Sequence, residues 1–246
     1  MKLFFSTFML IAVSSVATAQ NLTLGVKAGS STTTFRGDYS YSASNMYDNS
    51  KTNSLVLTEY LNYKLTSMLS VQAELSYQKK GFEYKTKRTV VDYAEFGNVE
   101  FGYLQIPLLL QFSYGGKLKV FSNGGPSVNI LVSDGYFHLK SNNSELSNSV
   151  GYVPLDVTRN IKSDFNKVTL GLVGSAGVSY DITSTIGILG EFRIGYDLTK
   201  SAKNKEKLTI YTFLPLPPGT PEPLYYKNTH FLSYTVQGGV YFKLSK

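Results

Sequence analysis

The chain has 246 residues, of which 42% are hydrophobic, 14% aromatic and 17% charged; its formal net charge is +7 and it contains no cysteine. The lack of cysteine leaves no means for disulfides, a thiolate metal site or a lipid-modified cysteine. No stretch reaches the ~20 apolar residues of a transmembrane helix; the best, Leu104–Phe112, is interrupted by Pro107.

The N-terminus reads as a secretory signal peptide. Lys2 precedes the apolar run Leu3–Val13, and Ala17-Thr18-Ala19 supplies small residues for cleavage. The predicted cut follows Ala19, dividing the chain into a signal peptide (1–19) and a single domain (20–246). Losing Lys2 lowers the charge from +7 to +6. In an exported protein this basic balance suits anionic lipid head groups better than nucleic acid.

Alternation of apolar and polar residues then predicts eight strands. The first is Asn21–Phe35, with Leu22, Leu24, Val26 and Ala28 on one face, and a polar stretch Arg36–Asn53 follows. The second, Ser54–Leu65, turns at Thr66–Met68 into the third, Leu69 to about Tyr84. A charged loop, Lys85–Gly97, leads to the fourth, Asn98–Phe112. The glycine turn Ser113–Lys117 opens the fifth, Leu118–Val132, where Gly124-Gly125-Pro126 suggests a bulge. The longest loop spans about Ser133–Asn166. The sixth and seventh strands, Lys167–Tyr180 and Thr185–Leu198, flank the turn Asp181–Ser184. A long loop containing the proline cluster Pro215–Pro223 precedes the eighth, which ends at Val236–Lys246.

Connections that alternate long and short are those of an even-stranded membrane barrel with short periplasmic turns and long external loops. Each strand has at least the ~9–11 residues that a tilted membrane strand needs. The predicted fold is therefore all-β: an eight-stranded antiparallel transmembrane barrel in the cell outer membrane. Its polar faces carry Lys27, Gln72, Glu74, Gln105, Gln111, Glu191, Arg193 and Gln237 among many glycines and serines. Such a set fills a narrow lumen with paired charges and small residues. Glu59 interrupts the apolar series Leu55, Leu57, Leu61, Tyr63, which calls for either a parity-switching bulge or a place near the head groups.

Tyr103–Phe112, the Gly-Gly-Pro-Ser of the fifth strand and Ala176–Tyr180, behind a signal peptide ending Ala17-Thr18-Ala19, resemble the outer-membrane β-barrel domain common in Bacteroidota, the group that includes PorT-like proteins. The resemblance covers nearly the whole mature chain. It implies an eight-stranded outer-membrane barrel without assigning a single activity.

The functional expectation is a structural or interactive role through the external loops, with a partner protein, a glycan or lipopolysaccharide as ligand. Lys79, Lys80, Lys85, Lys87 and Arg88, with Lys200, Lys203, Lys205 and Lys207, lie toward the outer rim and suit lipopolysaccharide phosphates. The two histidines, His138 and His230, also fall on that side, with Asp134, Asp156, Asp197 and Glu222 nearby in sequence. No diagnostic catalytic spacing accompanies them, so neither enzyme activity nor a cofactor or metal is expected. The competing readings are a narrow channel gated by Glu74 and Arg193, a rim-site enzyme, an assembly factor of a secretion system, and a soluble lipocalin-like barrel with Leu108, Leu110, Ile186 and Ile188 turned inward.

Overall fold

The computed structural model describes residues 21–39, 47–86, 94–142, 156–160, 162–203 and 226–244. The predicted signal peptide and the proline cluster lie outside the described residues. The strands are β1 (Leu22–Tyr39), β2 (Tyr47–Lys64), β3 (Leu69–Thr86), β4 (Ala94–Gly115), β5 (Leu118–Leu131), β6 (Tyr136–Asn142), β7 (Asp156–Asn160), β8 (Val168–Asp181), β9 (Ile186–Asp197) and β10 (Tyr226–Leu244). Eight of them run in the order β3-β2-β1-β10-β9-β8-β5-β4, and β4 pairs back onto β3. All pairings are antiparallel and the first strand pairs with the last, Leu22 facing Leu244, so the sheet is a closed barrel. Closure leaves no strand edge open to lipid.

The alternating faces segregate as a membrane requires. Leu57, Leu108, Leu110, Leu170, Ile186, Ile188 and Phe192 are exposed on the outside, while Lys27, Gln72, Glu74, Glu191 and Arg193 are buried within. A soluble lipocalin-like arrangement needs the reverse: Leu108, 55% exposed, and Ile186, 38% exposed, would have to face inward. Tyr63, Phe112, Tyr114, Tyr180 and Phe242 ring the outer surface near the short turns, and Tyr77 and Tyr196 near the other end. These are the interfacial girdles of a transmembrane barrel, and the turns Leu65–Met68, Gly116–Lys117 and Ile182–Thr185 mark its periplasmic end.

The inward glycines have a packing reason. Gly25 lies directly across from Tyr60, Gly177 from Phe121 and Gly187 from Tyr241. At each of the three, an added Cβ would overlap the neighbouring ring. Large side chains thus cross a narrow lumen because small ones lie beneath them.

Two expectations need correction. Gly124-Gly125-Pro126 forms no bulge: β5 keeps one register with β8 from Leu118 to Ile130. Instead the ladder to β4 is interrupted where Pro126 has no N–H to give, and Pro107 interrupts the β3–β4 ladder in the same way. Glu59 follows neither alternative. The register from Val56 to Lys64 is continuous, and Glu59 stands on the outer face between Val26 and Leu75. It is four residues from Tyr63, which at ~3.4 Å per residue and a tilt of ~40° places it roughly 10 Å inside the girdle. A carboxylate at that depth destabilises the inserted barrel. Glu59→Leu is expected to stabilise it by about 1–2 kcal/mol, read from the urea midpoint in lipid vesicles; an unchanged or lower midpoint would contradict this placement.

The strands also outlast their predicted ends. The segment read as the longest loop holds the β6–β7 hairpin, and β1 to β4 continue into residues read as loop. Beyond the membrane no lipid demands an apolar face, so the alternation that revealed the strands is no longer required while the backbone pairing continues.

Candidate functional site

The lumen is closed in layers. The lowest is an ion cluster contributed by β1, β3 and β9. Arg193 grips Glu74 with two parallel hydrogen bonds, Nη1 to Oε2 at 2.6 Å and Nη2 to Oε1 at 2.8 Å. Its Nε donates to Glu191 Oε1 at 2.8 Å. Lys27 Nζ bridges the same carboxylates, at 2.7 Å from Glu74 and 2.9 Å from Glu191. The four side chains sum to zero charge and their ionised groups are almost entirely shielded from solvent. Burial without pairing would be prohibitive, and a fork-shaped guanidinium between two carboxylates is the geometry that offsets it.

Neutral amides and hydroxyls surround the cluster. Gln72 donates to Glu74 at 2.6 Å. Asn62 donates to Ser70, Gln72 and Gln111. Thr58 lies against Ser76 and donates to Gln237. Gln105 is buried higher up, where Gln78 donates to it at the 3.5 Å limit.

A second layer lies toward the outside. Lys80 Nζ is 2.8 Å from Asp197 Oδ1, and Asn129 donates to the same oxygen at 2.9 Å. This corrects the expectation for Lys80: it shares the inward parity of Gln72, Glu74 and Gln78, is 1% exposed, and is out of reach of any lipid phosphate. Above it the rings of Phe35, Phe82, Phe101, Phe165 and Phe231 pack together, with centroids of Phe35 and Phe82 4.7 Å apart and of Phe101 and Phe165 4.1 Å apart. Lys80 lies against the underside of this plug, near Tyr103 and Phe231. The alternation of β3 and β9 was enough to show that Lys80 and Asp197 point inward. That they meet each other was not readable from it, because the register across the lumen is not local.

The remaining candidates scatter. Lys79 points outward and pairs with Glu100 at 3.0 Å. Lys203 donates to the Ser163 carbonyl. Lys200 is half-buried, and its carbonyl accepts from Asn166. The side chain of Lys85, and Lys87, Arg88, Lys205 and Lys207 altogether, lie outside the described residues. His230 Nδ1 is 2.9 Å from the Asp197 carbonyl, and its ring stacks on Tyr196. His138 falls in β6 across from Thr158. Asp134 pairs with Lys162.

Beyond the plug the barrel continues as a sheet. Tyr47–Lys51 of β2 pair with Phe82–Thr86 of β3, β3 with the start of β4, Ala94–Glu100 of β4 with β6, and β6 with β7. Five strands thus stand outside the membrane, and β7 is the last of them in the sheet order among the described residues.

The chain is similar to solved outer-membrane proteins at low sequence identity. Neisserial surface protein A is 13% identical, with 89% of this chain and 96% of that one covered at a TM-score of 0.42. Ail, the attachment invasion locus protein of Yersinia pestis, is 11% identical, covering 91% and 99% at 0.40. OprG from Pseudomonas aeruginosa is 11% identical, covering 91% and 97% at 0.42. No curated protein sequence matches. The family model that does match spans residues 18–203, so a closed barrel with an apolar girdle and a buried ionic lumen is joined by a sequence signature over most of the chain: it belongs to the outer membrane protein beta-barrel domain family.

Proposed function

We propose that the protein is a non-conducting outer-membrane barrel that holds an external sheet at the cell surface as a docking platform for a partner protein. The observation that carries this is the combination of a lumen closed by two ionic layers and an aromatic plug with a five-stranded external sheet whose last strand among the described residues is β7. A strand at the end of a sheet offers main-chain donors and acceptors to an incoming strand, and closure removes the reason to read the barrel as a pore. A non-catalytic role is supported by His230, whose ring is engaged by a main-chain carbonyl and by Tyr196. Lipopolysaccharide is a further neighbour for outward cations such as Lys79.

The finer placement among PorT-like barrels, carried by Tyr103–Phe112 and Ala176–Tyr180, belongs to this proposal. It makes the partner a component of a secretion apparatus, and cargo retained in the periplasm of a deletion strain is its signature.

The platform itself is tested by a photo-crosslinking residue at Asn160 on β7, with Lys117 in a periplasmic turn as control, in intact cells. A discrete protein adduct at Asn160 that is absent at Lys117 is expected. No adduct at Asn160, or an equal adduct at Lys117, in a barrel that still shifts on boiling, would overturn the assignment.

A further inference from the structure

The ion cluster is also the roof of a cavity that opens at the turn end of the barrel. The cavity holds about 270 Å³ and its wall includes Lys27 and Glu191 at the top and Lys64, Lys119 and Lys243 at the mouth. One carboxylate, Asp181, serves two of these lysines, at 3.0 Å from Lys119 and 2.6 Å from Lys243. Lys64 has no ion-pair partner among the described residues, so the mouth keeps an excess of positive charge.

Deeper in the same cavity Asn123 is only 6% exposed, and neither its amide nitrogen nor its amide oxygen has a hydrogen-bond partner among the described residues. Leaving both groups buried and unmet is costly, about 1–3 kcal/mol each. The rings of Tyr60, Phe121 and Tyr241 form the wall near these groups.

We propose that this cavity binds the carboxylate end of a short peptide from the periplasm. The carboxylate meets the lysines at the mouth, and a peptide group reaches Asn123, whose amide presents the matching donor and acceptor. Lys119 and Asn123 are four positions apart on β5, roughly 13 Å along the strand; the reach of the lysine shortens this to the span of a di- or tripeptide. A bare inorganic anion would use the lysines and leave Asn123 unmet. The site lies at the opposite end of the barrel from the external sheet and does not depend on the docking role proposed for it.

The test is calorimetric titration of the mature chain, folded in detergent micelles at low salt, with N-acetyl-alanyl-alanine as free acid, with its C-terminal amide, and with inorganic phosphate. The free acid is expected to saturate below millimolar concentration, the amide to bind about tenfold or more weakly, and equimolar phosphate not to displace the acid. Lys64→Met, at an exposed position, should weaken binding several-fold. Asn123→Ala should weaken it about tenfold, with the boiling-dependent gel shift intact. Absence of saturation by about 10 mM acid, equal binding of acid and amide, displacement by phosphate, or wild-type affinity in Asn123→Ala would each overturn the proposal.

Discussion

Arg193→Met is expected to lower the unfolding free energy of the barrel by about 3–5 kcal/mol. Arg193 is the fork that holds Glu74 and Glu191 together, and its removal leaves two buried carboxylates with Lys27 as the only cation of the cluster. The loss then measures the stranded charges more than the bonds themselves. A second variant separates the two: Lys27→Met, Glu74→Leu, Glu191→Leu and Arg193→Met together remove every charge of the cluster, and should cost less than Arg193→Met alone. The chain has no tryptophan, so urea unfolding in lipid vesicles is best followed by circular dichroism and by gel mobility without boiling. A single-variant loss below about 1 kcal/mol would mean that water reaches the cluster and screens it.

Phe231→Ala is expected to cost about 3–5 kcal/mol for a different reason, the loss of packed volume. Phe231 is 1% exposed, its ring lies 5.0 Å from that of Phe35 and 6.0 Å from that of Tyr103, and Lys80 rests against it. The variant should open the outer mouth without making a pore, because the Lys80–Asp197 pair and the Arg193 cluster still close the lumen in series below it. Planar bilayers containing the wild type or Phe231→Ala should therefore carry no steady current. A steady single-channel conductance from either would show that these layers do not seal.

The closures share one logic. A small barrel must fill its lumen, and polar side chains are admitted there only in sets that satisfy one another. Apolar rings take over at the outer end, where the external sheet begins. Among the described residues the periplasmic mouth carries an excess of positive charge, next to a buried amide, that of Asn123, without a partner among them.

The alternation of Leu69–Tyr77 and of Lys167–Tyr180 was sufficient to locate membrane strands, since a period of two with lipid on one side writes itself into every second residue. The same period assigned Lys27, Glu74, Glu191 and Arg193 to one interior. It also exposed Glu59 as an exception, without revealing that the exception stays on the outer face. What the period cannot carry is pairing across the lumen. Arg193 finds Glu74 119 positions away, and Lys80 finds Asp197 117 away, because closure of β1 on β10 fixes the register of the whole ring at once. Nor can it mark strand segments that lie beyond the lipid, and so β6, β7 and the outer ends of β1 to β4 looked like loops. The sequence by itself determined which faces meet lipid, because that demand is local and repeats. Only the tertiary structure decided which charges neutralise each other, where the lumen is sealed and which end remains open, because those depend on how eight separate strands are staggered against one another.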